Sequence, residues 1–118
     1  TMTKNIPGEP YTRISSMEAH NKTNSEGATI IDVRREDEYI SGHVTDSLWI
    51  PVDEIIARYS EIPEEGDLLF ICEVGARSGL AAEYAAAMGA DTSRLFNIED
   101  GTGTWASNGY PISKGNVA

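Results

Sequence analysis

Leu68-Leu69-Phe70-Ile71-Cys72-Glu73-Val74-Gly75-Ala76-Arg77-Ser78 is the stretch from which the fold is read. Four consecutive apolar residues, Leu68 to Ile71, suit a strand buried on both faces, the pattern of a central strand in a parallel sheet. The Ala-rich run from Ser78 to Met88 favours a helix, and Gly89 stands beyond its end. Strand, tight loop and helix place Cys72, the sole cysteine, at a strand's carboxyl end. In layered α/β domains that edge is where sites form.

Working outward, the same alternation recurs. Tyr11 to Ile14 reads as a short strand. Ser15 and Glu18 form a capping-box pattern, which predicts a helix from about Ser16 to Ser25 with Gly27 as its stop. Thr29 to Val33 is a β-branched, apolar strand. Arg35 to Ser41 is a short polar helix closed by Gly42. Ser47 to Ile50 is a strand ended by Pro51. Asp53 to Tyr59 reads as a helix with Ile55, Ile56 and Tyr59 on one face. Pro63 to Gly66 is a turn, and Leu95 to Ile98 is the last clear strand. A short helix near Trp105 and a turn at Gly109-Tyr110-Pro111 follow. Strands alternating with helices predict an α/β domain with a mainly parallel sheet. Pro7, Gly8 and Pro10 mark residues 1–10 as a flexible lead-in. Residues 11–112 form a single domain, and 113–118 a loose tail.

Composition bounds the function. A chain of 118 residues buries roughly two-thirds of its unfolded surface without needing disulfides or metal. Nineteen acidic against nine basic residues give a net charge of −10. That field repels a nucleic-acid backbone and an anionic bilayer, so neither is expected as a partner. No apolar run reaches the ~18 residues of a membrane span. The opening Thr1-Met2-Thr3-Lys4-Asn5 has no signal-type apolar run. One cysteine allows no internal disulfide and no Cys-x-x-Cys pair, which suits the cytoplasm. Two histidines and one cysteine do not make a metal spacing, so no metal and no cofactor are expected.

The loop carries the chemistry. A free thiol ionises near ~8.5. A helix N-terminus favours an anion, consecutive N–H groups of a glycine-containing loop form a nest for one, and Arg77 adds a full positive charge. Glu73 acts the other way unless its side chain turns outward. Gly75 suits a position needing φ > 0. Ser78 can cap the helix or donate to a bound sulfur. A lone cysteine after an apolar strand is by default a small buried hydrophobe. Gly75, Arg77, Ser78 and the abrupt helix start shift the reading to a nucleophile. Asp32 and Arg34 are expected to flank the loop as a strand-end ion pair. His43 is read as a structural hydrogen-bonder, and Trp49 and Trp105 as anchors, with Trp105 a candidate wall of the pocket. Glu36-Asp37-Glu38 is read as a solvated helix face.

In order along the chain, Asp32-Val33-Arg34, Glu38-Tyr39, Gly42-His43-Val44 leading to Ile50-Pro51, Cys72-x-x-Gly75-x-Arg77-Ser78, Ala81-Ala82, Gly101, Trp105 and Gly109-Tyr110-Pro111 resemble the single-domain rhodanese-type sulfurtransferases. The resemblance implies a rhodanese-like α/β fold, a mainly parallel five-stranded sheet with helices on both faces. It implies a ping-pong cycle through a Cys72 persulfide. The donor would be a small anion such as thiosulfate, or a persulfide. The acceptor would be cyanide or a thiol, and a protein can stand on either side. The loop residues Glu73, Val74, Gly75, Ala76, Arg77 and Ser78 would hold the persulfide, with Arg77 positioning an anionic donor. The chain also departs from the family pattern. Glu73 stands where family loops often carry a basic residue, which weakens attraction for thiosulfate. Val44-Thr45-Asp46-Ser47 replaces Ile-Pro-Gly-Ala, and Asp100-Gly101 replaces Gly-Gly; both read as changes of shape. The resemblance to 3-mercaptopyruvate sulfurtransferases is poorer, because their loop typically lacks the arginine matched by Arg77.

Three other functions compete. A cysteine phosphatase or arsenate reductase uses Cys-x5-Arg, whereas four residues separate Cys72 from Arg77. The smaller ring of N–H groups suits one sulfur atom better than phosphate. A non-catalytic protein-binding module would not need the cysteine and arginine. A sulfur carrier between protein partners would use the same persulfide, and an acidic surface would recognise a basic partner.

Overall fold

The computed structural model describes residues 3–25 and 27–118. Five strands form one sheet in the order β1-β6-β5-β2-β4: β1 (Thr12–Ile14), β2 (Thr29–Asp32), β4 (Leu48–Trp49), β5 (Leu68–Ile71) and β6 (Leu95–Ile98). Every pairing in it is parallel. The apolar strand β5 lies in the middle, between β2 and β6, so both of its faces need cover. Alternation along it divides the core. Leu68, Phe70 and Cys72 pack with Ala81, Ala82 and Ala85 of α3 (Ala76–Ala87). Leu69 and Ile71 face Ala19 of α1 (Ser16–Ser25) and Trp105 of α4 (Gly101–Ser107). The architecture is the expected α/β one, a mainly parallel five-stranded sheet with helices on both faces. Leu68, Leu69, Phe70 and Ile71 are all fully buried, and each such side chain contributes about 1.5–3 kcal/mol of transfer free energy.

Local chemistry explains the helix starts. At α1, the Glu18 N–H donates to Ser15 Oγ and the Ser15 N–H donates to Glu18 Oε1, both at 3.1 Å. The expected capping box is therefore formed. Gly79 in α3 has no room for a side chain: a Cβ there would lie 2.8 Å from the Tyr11 hydroxyl. A helix bare of bulk at that turn can lie close to the sheet.

Several elements differ from expectation. Residues 53–59 do not form one helix. Two short 3-10 turns, Val52–Glu54 and Tyr59–Glu61, take its place. Of the expected apolar face only Ile55 is fully buried; Ile56 stays half exposed. With little to hold a helix, Arg58 leaves the helical region (φ −110°, ψ 20°) and bridges Glu54 and Glu61. A two-stranded antiparallel ribbon joins β3 (His43–Val44) to β7 (Ile112–Ser113). The segment 113–118, expected to be loose, reaches back: Ser113 lies in that ribbon, and the Gly115 N–H donates to the Ile40 carbonyl at 2.8 Å. At the other end Lys4 pairs with Arg13 of β1 in an antiparallel bridge; residues 1 and 2 of the expected lead-in lie outside the described residues. Trp105 packs on the sheet face opposite Cys72, so it does not wall the thiol's pocket. Among the described residues no helix is long and apolar enough to cross a membrane.

Candidate active site

Cys72 directly follows β5. Its carbonyl oxygen accepts from the Thr102 N–H at 3.0 Å and the Thr102 hydroxyl at 3.1 Å, which pins the strand's end to α4. The approach is close enough to demand glycine. A Cβ on Gly101, at φ +77°, would sit 1.9 Å from the Glu73 carbonyl oxygen.

The loop then turns sharply. Gly75 is the residue before α3 and has φ +90°, the left-handed conformation that glycine adopts without cost. This turn aims two backbone amides at one atom. The Gly75 N–H donates to Cys72 Sγ at 3.1 Å and the Ser78 N–H at 3.3 Å. The helix begins at Ala76, two residues earlier than the sequence suggests, so Arg77 and Ser78 lie in its first turn. The N–H groups of Ala76 and Arg77 have no acceptor within the helix, and the helix's positive end faces the sulfur. Cys72 is only 1% exposed, so the sulfur lies beneath the loop. Burial alone would suit an inert hydrophobe. Two N–H groups directed at the sulfur are what an inert residue has no use for.

Ser78 does not cap the helix. Its hydroxyl donates to Asn97 Oδ1 at 2.6 Å and lies 3.3 Å from Cys72 Sγ. Asn97, on β6, donates through Nδ2 to the Gly75 carbonyl at 3.0 Å. One buried amide thus ties the turn of the loop at Gly75 to its end at Ser78.

The charged residues pair among themselves. Arg34 is 3% exposed. It donates to both carboxylate oxygens of Asp32 (2.8–3.2 Å), to the Gly42 carbonyl (2.7 Å) and to Glu73 Oε1 (2.7 Å). Burial opposes its charge, but Asp32 and Glu73 outweigh that and raise its pKa. Asp32 and Arg34 therefore form the expected strand-end pair, and Glu73 joins it instead of facing the sulfur. Arg77 makes a two-pronged pair with Glu38 of α2 (Glu36–Ser41), at 2.7 and 2.9 Å. The Arg77 hydrogen bonds, working against burial, hold the Glu38 carboxyl down to about 2. Glu38 is thus no part of a solvated face. On the far side of the loop, Arg13, Val74, Gly75, Ala76, Asn97 and Glu99 line a cavity of about 230 Å³. Arg13 there is paired with Glu9 at 2.5 Å and Glu99 at 3.7 Å.

His43 takes no part in these bonds. It is buried, with Nδ1 2.7 Å from the Tyr39 carbonyl and Nε2 2.5 Å from the Val117 carbonyl, which is a structural role. No group of metal-binding side chains occurs among the described residues. Sequence reasoning missed Asn97, Thr102 and Glu38. Asn97 left a signal: a polar residue inside the apolar strand Leu95-Phe96-Asn97-Ile98 must find partners when buried.

Comparison with known proteins agrees with this geometry. Residues 15–108 match the rhodanese-like domain family. A sulfurtransferase of Allochromatium vinosum is 35% identical over 88 residues, covering 75% of this chain and 80% of the relative. Thiosulfate sulfurtransferase GlpE of Actinobacillus pleuropneumoniae is 28% identical, covering 88% of this chain and 94% of the relative. Among solved structures, a rhodanese-related protein of Thermoplasma volcanium superposes with a TM-score of 0.74 at 26% identity, over 86% of this chain and 96% of its own.

Proposed function

The chain belongs to the rhodanese-like domain family, and on that premise we propose that it is a sulfurtransferase carrying a sulfane sulfur as a persulfide on Cys72. The observation that carries this reading is the convergence of the Gly75 and Ser78 amides on one sulfur atom. In the first half-reaction the Cys72 thiolate attacks the outer sulfur of a donor, thiosulfate or a persulfide. The donor's S–S bond breaks, and sulfite or a thiolate leaves with the electron pair. In the second, cyanide or a thiol attacks the outer sulfur of the Cys72 persulfide and the thiolate is restored. Splitting one transfer into two displacements is nucleophilic catalysis.

The loop supplies electrostatics. Charge on the outer sulfur would meet the N–H groups of Ala76 and Arg77, which have no helical acceptor. Fixed dipoles of this kind need no reorganisation when the charge arrives. A single unpaired cysteine suits a reducing compartment, and we place the reaction in the cytoplasm.

Intact-mass spectrometry after exposure to sulfur donors tests the proposal. The expected adduct is one sulfur atom on Cys72, removed by cyanide and absent in Cys72→Ala. Sulfur transfer that survives in Cys72→Ala rules the reading out.

A further inference from the structure

We infer that the donor is the persulfide, R–S–SH, of a thiol bearing no excess negative charge, and that Glu73, by engaging Arg34, leaves dianionic donors without a free cation. This rests on the sulfurtransferase reading and narrows it. A dianion such as thiosulfate needs a cation free to meet it, and the cations around the loop are already engaged. Arg34 is taken up by Asp32, Glu73 and the Gly42 carbonyl. Arg77 is held on both prongs by Glu38. Arg13, beside the cavity at Val74, is paired with Glu9 and Glu99, and Lys4 with Glu99 at 3.4 Å. Arg35, which also faces Glu38 at 3.7 Å, is paired with Asp37 at 3.2 Å, so six carboxylates answer five cations, on a chain whose net charge is −10. What remains for an anion is the set of backbone amides, and these converge on a single atom, Cys72 Sγ.

A persulfide asks for no more than that. Only its outer sulfur enters the loop. The Cys72 thiolate attacks that sulfur, the donor's S–S bond breaks, and the R–S⁻ that leaves takes up the proton that the outer sulfur carried. The products are the Cys72 persulfide and R–SH, with no other reactant consumed. Thiosulfate would instead bring two charges in past Glu73 and send sulfite, with as many, back out.

The test is the second-order rate of sulfur loading on Cys72, followed by intact mass, with four probes: cysteamine persulfide, cysteine persulfide, glutathione persulfide and thiosulfate. Intrinsic reactivity is shared by the three persulfides, so their order reports charge. The cationic cysteamine compound should load fastest and the anionic glutathione compound slowest. Thiosulfate should trail cysteamine persulfide by at least about tenfold at low salt. Added salt should slow the cationic donor and speed the anionic ones. Glu73→Gln should raise the thiosulfate rate several-fold at low salt and lower the cysteamine persulfide rate. Glu73 is half-exposed, and the donor series on the unaltered protein stands whether or not that variant folds. Thiosulfate or glutathione persulfide loading fastest overturns this inference and leaves the sulfurtransferase reading standing. No loading from any of the four overturns the sulfurtransferase reading itself.

Discussion

At the scale of single residues the site depends on side chains that never touch solvent. Asn97 is 2% exposed and uses both ends of its amide, accepting from Ser78 and donating to the Gly75 carbonyl. Its orientation is forced, because a carbonyl oxygen only accepts and so the NH₂ must face Gly75. The Ser78 hydroxyl is then obliged to donate to Oδ1, and its lone pairs face the sulfur. Asn97→Leu keeps the branched shape and removes both bonds, leaving a buried hydroxyl without its acceptor. The expected cost is about 1–3 kcal/mol, measured by urea unfolding, together with slower sulfur loading of Cys72. Unchanged stability would mean that the two bonds do not form in solution. The sequence showed the thiol, the glycine that turns the loop and the strand-end pair Asp32–Arg34, because each sits within a few residues of the feature it serves. Asn97, Thr102 and Gly101 act on the loop from 19 or more residues further along the chain. Spacing cannot reveal such contacts.

At the scale of elements, α2 and α3 are joined through one ion pair across the mouth of the loop. Glu38 sits in the first turn of α2, and Arg77 in the first turn of α3. The Glu38 carboxyl lies at about 2 in the folded chain against an ordinary 4.5. A depressed carboxyl stabilises the fold above its unfolded value, and that contribution fades as pH falls toward the folded one. The difference in unfolding free energy between the protein and Glu38→Gln should therefore be constant from about pH 7 to 5. It should shrink between about pH 4.5 and 2, where Glu38 becomes neutral in both chain states. Urea titrations across this range measure it, and the other carboxylates cancel in the difference. A pH-independent difference would mean that the pair is not made. The five strands of the sheet and all four helices were legible, since apolar runs, caps and closing glycines are local signals. The segment 53–59 was not. Its helical spacing was real, but the sheet offered a burial site to Ile55 and none to Ile56, and tertiary packing overrode the pattern.

At the scale of the whole molecule the question is whether donor choice comes from the net charge or from the residues at the mouth. The two are separable because the sheet is parallel. Glu64 and Glu65 lie in the turn before β5, exposed, while Cys72 follows that strand's other end. Four residues of strand set them roughly 13 Å apart at least, beyond the Debye length of about 10 Å at 0.1 M salt. Replacing both with lysine changes the net charge of −10 by four. It relieves self-repulsion, so thermal stability should rise slightly at low salt and the gain should fade as salt is added. If the global field governs the donor, this distant pair of reversals should raise the thiosulfate loading rate more than Glu73→Gln, which changes the charge by one. If the pairing at the mouth governs it, Glu73→Gln should win at 0.1 M salt despite the smaller change in charge. The structure favours the second outcome, because Glu73 is bonded to the one arginine buried beside the loop. Thiosulfate loading that tracks net charge, whichever residues supply it, would show that the mouth does not select.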